Sequence, residues 1–223
     1  IEDLEKSGVD FIEIGLPFSD PLADGPTIQA SSTTALKNGM TTNRLFDQLK
    51  DIRSSVKIPL ILMGYFNPIL QFGVERFCEK CRETGIDALI IPDLPVDVYN
   101  DEYREIFEKF GLINIFLITP QTSEERIRFI DSVSNGFIYM VSSASVTGST
   151  KGFGEETLKY FERIAAMELK NPQVIGFGIS DNQSFAQATK YAKGAIVGSA
   201  FVKHLDMEGT SKIPSFISAL RGF

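Results

Sequence analysis

Residues 13–27 read Glu-Ile-Gly-Leu-Pro-Phe-Ser-Asp-Pro-Leu-Ala-Asp-Gly-Pro-Thr. With Val9-Asp10-Phe11-Ile12 ahead of them, they describe a short apolar strand that runs into a loop rich in proline and glycine. One acid lies inside the strand and others lie just beyond its carboxyl end. Alternation along the strand puts Phe11, Glu13 and Gly15 on one face and Ile12, Ile14 and Leu16 on the other. A strand apolar on both faces belongs in a parallel sheet covered on both sides, which takes Glu13 out of water. An uncompensated buried carboxylate costs several kcal/mol or more, so such a group is paired, hydrogen-bonded or protonated. The plainer reading makes Glu13 a structural carboxylate and Asp20 and Asp24 turn formers. The pairing of a strand acid with an acidic loop at the carboxyl end, where α/β enzymes build their sites, favours catalysis.

The same unit repeats along the chain. Seven short apolar runs, at 11–16, 59–65, 88–94, 113–119, 137–142, 174–179 and 195–198, alternate with segments of helical period at 42–54, 74–84, 99–110, 123–132, 155–167 and 182–191. Thr42, Ser123 and Ser180-Asp181 mark helix starts, and Gly85, Gly111 and Gly194 mark helix stops. Strand–helix alternation with nearly continuous apolar strands means a parallel sheet with helices outside it. The chain opens with Ile-Glu-Asp-Leu-Glu-Lys-Ser-Gly, which reads as a helix ending at Gly8 whose strand lies upstream. Seven units and that incoming helix make eight, so a single α/β domain over 1–223, a (β/α)8 TIM barrel whose first strand precedes residue 1, is the expected fold. An open doubly wound sheet is the alternative.

Composition narrows the function. The 223 residues include 43% hydrophobic ones, enough for a substantial core. A formal charge of −7 with no basic stripe argues against a nucleic-acid partner, and no apolar run is long enough to span a membrane. Cys78 and Cys81 stand in a helical segment, and the single histidine, His204, is far away in sequence. A zinc site needs more ligands than that, so the pair reads as ordinary helix residues; free thiols suit a cytoplasmic location.

The segments that follow the strands gather small, aromatic and hydroxyl residues with few bases, as in a pocket with a polar rim. Gly178 follows the sixth observable strand and Gly198-Ser199 the seventh. Small residues there let backbone N–H groups approach an anion, and a short helix over 200–204 would add the partial positive charge of its amino end. Barrels frequently hold a substrate phosphate at this location, and Val146-Thr147-Gly148 offers a further donor loop.

From the first helix to near the end of the chain the sequence resembles the alpha subunit of tryptophan synthase. The most specific element is the stretch from Glu13 to Gln29; Gly64-Tyr65-Phe66-Asn67-Pro68, Ile91-Pro92-Asp93-Leu94-Pro95, Val146-Thr147-Gly148, Gly176-Phe177-Gly178-Ile179-Ser180 and Gly198-Ser199-Ala200 follow in the family's order. The resemblance implies cleavage of indole-3-glycerol phosphate to indole and glyceraldehyde 3-phosphate with no cofactor in this subunit. It implies that Glu13 protonates indole C3 and takes the glycerol hydroxyl proton, and that Asp24 holds the indole N–H. It also places Ile28, Met63, Ile90 and Phe177 around the ring, Tyr65 and Tyr139 near the reacting side chain, and Thr147 on a mobile lid. Gly148, Gly178, Gly198 and Ser199 would hold the phosphate. Asp20 and Pro21 would face a pyridoxal-phosphate-dependent beta subunit in a linear αββα assembly. Ser145 departs from the glycine common before Val-Thr-Gly and is expected to slow lid closure if that position needs a positive φ.

Two other readings remain. The chain could serve mainly to bind and activate the beta enzyme, with weak lyase chemistry of its own. It could instead act on another phosphosugar; but no lysine for a Schiff base stands at the strand ends, and His204 has no neighbouring metal ligands.

Overall fold

A computed structural model describes residues 1–21, 23–142 and 152–222. It divides into two compact units, Ile1–Ile115 and Phe116–Phe223. In the first unit the order is α1 (Glu2–Lys6), β1 (Ile12–Gly15), α2 (Pro26–Lys37), α3 (Thr42–Leu49), β2 (Leu60–Met63), α4 (Phe66–Phe72), α5 (Val74–Thr84), β3 (Ala88–Ile90), α6 (Val96–Val98), a π-helical turn (Tyr99–Tyr103), α7 (Arg104–Lys109) and the start of β4 (Ile113–Ile118). The second unit continues β4 and adds α8 (Glu124–Val133), β5 (Ile138–Val141), α9 (Glu155–Ala165), β6 (Gln173–Gly176), α10 (Asn182–Ala188), β7 (Gly194–Ile196), α11 (Ser199–Glu208) and α12 (Ile213–Arg221).

Every strand pairing is parallel, and the strand order follows the chain from β1 to β7. A doubly wound sheet reverses its order at a switch point; this one has no reversal, as the barrel topology requires. In the first unit Glu13 pairs with Ile61 and Ile61 with Ala88, while Gly15 pairs with Met63 and Met63 with Ile90. Paired residues of neighbouring strands point the same way, so Glu13, Met63 and Ile90 share one sheet face, with the Met63 and Ile90 row one pleat beyond Glu13.

Side-chain chemistry accounts for the helices. The α5 residues Val74, Phe77, Cys78, Cys81 and Thr84 recur at helical spacing and are all buried, and the helix stops where Gly85 takes φ 75°. Both thiols are inaccessible, and burial pushes Cys78 up to about 12 and Cys81 higher still, so neither offers a thiolate. Ser123 caps α8 through the Arg126 N–H, and Asp181 caps α10 in a reciprocal pair with Ser184. Several boundaries differ from the expected ones. The α3 cap is Thr41, not Thr42, because the Thr41 hydroxyl accepts the Arg44 N–H; Gly194 is the first residue of β7, not a helix stop. The helix after Gly198 is also longer than 200–204, running from Ser199 to Glu208.

Beneath the strands, Arg53 ties the chain together on the side opposite the loops that follow the strands' carboxyl ends. Its guanidinium donates to the Ile58 and Gly85 carbonyls at 2.7 and 2.8 Å and pairs with Asp87, which also accepts the Leu60 N–H at 2.8 Å. Asn114 lacks such satisfaction. It lies in β4, is 3% exposed, and neither Oδ1 nor Nδ2 has a hydrogen-bond partner among the described residues. Burying an unpaired amide costs about 1–3 kcal/mol. Asn114→Leu keeps the branched shape and removes the polar atoms, so denaturant unfolding is expected to show a gain of about 1–2 kcal/mol. A loss on that substitution would mean the amide is satisfied by a buried water.

Candidate active site

In the first unit β1 places Glu13, and the loop after it places Asp24. Glu13 Oε2 is sealed from solvent and has no hydrogen-bond partner among the described residues. That burial, reinforced by the negative charge of Asp24, lifts the Glu13 carboxyl from 4.5 to about 7. A carboxyl with that affinity is protonated and deprotonated in comparable amounts near neutrality, which suits a group that must give a proton and then take one.

Asp24 is half-buried. Burial raises its pKa, while the hydrogen bond from Tyr65 opposes the rise. The Tyr65 hydroxyl donates to Asp24 Oδ2 at 3.0 Å and accepts the Ala23 N–H at 2.8 Å. Burial pushes that phenol up to about 12, so it stays a donor. Tyr65 therefore clamps the second acid. Its expected place near the reacting side chain has this added content: its polar atom is already engaged on the loop. The Phe18 ring packs against it at 5.3 Å between centroids.

Two loop-setting residues escaped the sequence reading. Gln29 Nε2 donates to the Asp24 carbonyl at 2.8 Å, closing the acidic loop onto α2. Asp93 accepts the Phe66 N–H at 2.8 Å and so fixes the backbone next to Tyr65. Gln29 lies inside the quoted motif and Asp93 inside Pro-Asp-Leu-Pro, but neither spacing reveals its partner. Of the apolar candidates, Met63 is part-buried and Ile90 fully buried at the strand ends, and Ile28 is part-buried on α2. Asp20 is exposed and Pro21 part-buried, both in the loop beyond β1.

In the second unit Tyr139 on β5 meets Phe177 edge-on, 6.1 Å between centroids. A Cβ at Gly176 would fall 2.0 Å from the Tyr139 hydroxyl, so only glycine leaves room for that ring. Phe177 and Gly178 both take positive φ, 68° and 72°. Gly198 is the N-cap of α11, and Ser199 is its first residue; both are exposed. The first-turn N–H groups of a helix are unpaired, so this end can receive an anion. Ser145, Thr147 and Gly148 lie outside the described residues. Among the described residues no group of three or more His, Cys, Asp or Glu could hold a metal, and no helix is long and apolar enough to cross a membrane.

Residues 1–218 match the family model described as tryptophan synthase alpha chain. A tryptophan synthase alpha chain from Flavobacterium johnsoniae is 75% identical over 221 residues, covering 99% of this chain and 87% of that protein. One from Christiangramia forsetii is 74% identical over 221 residues, covering 99% and 86%. Among solved structures, the tryptophan synthase A-subunit of Pyrococcus furiosus superposes with a TM-score of 0.89 at 34% identity, covering 99% of this chain and 89% of that one. A chain of the tryptophan synthase complex from the same organism gives 0.88 at 32% identity, covering 100% and 91%.

Proposed function

The chain belongs to the tryptophan synthase alpha chain family, and on that premise we propose that it cleaves indole-3-glycerol phosphate to indole and glyceraldehyde 3-phosphate. The observation that carries the residue assignment is the Glu13 carboxyl, lifted to about 7 beside a second acid, with its Oε2 sealed from water and without a partner among the described residues. The bond to be broken joins an aromatic carbon to a carbinol carbon, and it does not break until the ring carbon is protonated. Glu13 in its acid form delivers that proton to C3. The ring becomes cationic, with its charge centred on the N–H, and the Asp24 carboxylate accepts that N–H and stabilises the charge in a dry site. Glu13, now a carboxylate, takes the hydroxyl proton from the adjacent carbon. The C–C bond breaks, its electrons return to the ring to regenerate indole, and the carbinol carbon leaves as the aldehyde. Glu13 ends protonated, ready for the next turnover.

Tyr65 holds Asp24 in register for this role, spending its hydroxyl on the carboxylate instead of on substrate. Ile28, Met63, Ile90, Tyr139 and Phe177 are assigned to the indole and side chain, and Thr147 to the loop that orients Asp24. Gly148, Gly178, Gly198 and Ser199 are assigned to the phosphate. The step needs no resident cofactor; pyridoxal phosphate belongs to the beta partner, which receives the indole in an α2β2 assembly through a contact that includes Asp20 and Pro21. We place the enzyme in the cytoplasm. Residues 1–223 are taken as one (β/α)8-type domain, because the division between the two compact units falls inside β4, whereas domain borders fall in exposed linkers.

Indole release from indole-3-glycerol phosphate by the full chain, alone and with its beta partner, tests the assignment. Cleavage by the chain alone, accelerated by the partner, is the expected result. Release only from the partner's own chain would overturn it.

A further inference from the structure

Ser142 follows β5 and is 2% exposed. Its N–H donates to the Gly176 carbonyl at 3.2 Å, and its Oγ lies 3.2 Å from that same oxygen and 2.8 Å from the Phe177 carbonyl. A serine hydroxyl has one proton to give, and the shorter contact, to Phe177, takes it. That carbonyl belongs to a strained turn: Phe177 has φ 68° and Gly178 φ 72°, and a bulky residue enters the left-handed region only when its surroundings hold it there. Ser142 Oγ and the Phe153 ring also stand 3.4 and 3.2 Å from where a Cβ at Gly178 would sit, so both are packed against this turn.

Peptide planarity gives the hydroxyl a consequence beyond strain. The Phe177 C=O and the Gly178 N–H belong to one trans peptide and point in opposite directions. Drawing the carbonyl onto Ser142 therefore directs the Gly178 N–H away from the protein core at Ser142. We propose that Ser142 is a positioning residue for the substrate's phosphate, aiming the Gly178 N–H at it through the Phe177–Gly178 peptide. The inference rests on the assignment of Gly178 to the phosphate. Without the hydroxyl the peptide is free to rotate, and the N–H donor is lost from the cradle for part of the time. Neither acid is touched, so binding suffers and the chemical step does not.

The test follows the Gly178 amide by NMR in the full chain as inorganic phosphate is added, alongside steady-state kinetics. Wild type and Ser142→Thr, which keeps the hydroxyl, should respond at similar phosphate concentrations. Ser142→Ala should need about tenfold more phosphate and show a KM for indole-3-glycerol phosphate about tenfold higher, with kcat changed by less than about threefold. Should the alanine variant fail to fold, Ser142→Cys, of similar size and a weak donor, carries the same expectation. A Ser142→Ala protein with the wild-type phosphate midpoint and KM overturns the proposal. So does a parallel fall in kcat and thermal midpoint with KM unchanged, which is what a purely structural role produces. If the wild-type Gly178 amide ignores phosphate altogether, the assignment of Gly178 itself is wrong, and the role of Ser142 falls with it.

Discussion

Replacing Glu13 by glutamine is expected to lower kcat for indole release roughly a thousandfold while making the protein more stable at alkaline pH. The loss follows from removing the proposed proton donor at C3, since the amide can neither give that proton nor accept the one that follows. The gain follows from linkage. The folded-state pKa of Glu13 is about 7 against an ordinary 4.5, so the folded chain holds the proton more tightly than the unfolded chain does. That contribution is fully present below pH 4.5 and is lost as pH rises through about 7. Wild type therefore carries a penalty at pH 8 on the order of 3 kcal/mol, which the neutral glutamine does not share. Denaturant unfolding at pH 8 should show Glu13→Gln the more stable protein, with the difference shrinking as pH falls from about 7 towards 4.5. A variant that turns over at the wild-type rate removes Glu13 from the mechanism.

Asp24→Asn is expected to cost about a hundredfold in kcat, because the cationic ring loses a charged acceptor in a dry site. It should also leave a mark on the other acid. The Asp24 charge is part of what lifts Glu13, so neutralising it lets Glu13 ionise at lower pH. The alkaline limb of kcat/KM in Asp24→Asn should therefore move to lower pH relative to wild type. An unmoved limb would mean the two carboxyls do not sense each other.

The backbone plan was legible because each strand is a short apolar run with turn residues at its end. Glu13 was legible as an acid drawn out of water because alternation sets it beside Phe11 and Gly15 in a strand apolar on both faces, and in the fold it is part-buried with Oε2 inaccessible. Other elements hid for identifiable reasons. The helix Pro26–Lys37 carries Ser31-Ser32-Thr33-Thr34 and has no fully buried residue, so it has no apolar stripe to read. The helix Phe66–Phe72 contains Pro68, which looks like a breaker but sits in the first turn, where the missing N–H is not needed. Tyr65 was placed in the site by likeness, but its clamp on Asp24 joins residues 41 apart and has no signature in spacing. A glycine at 178 signals a turn; nothing in the sequence signals that Phe177 shares its left-handed backbone or that Ser142 holds it there.

The proposed chemistry turns on a carboxyl whose proton affinity burial has raised. Carbon-detected NMR titration of the Glu13 side chain in the free protein measures that directly: a midpoint near 7 is expected, and a midpoint at the ordinary 4.5 would contradict the account, since such a group would hold no proton to deliver at neutral pH.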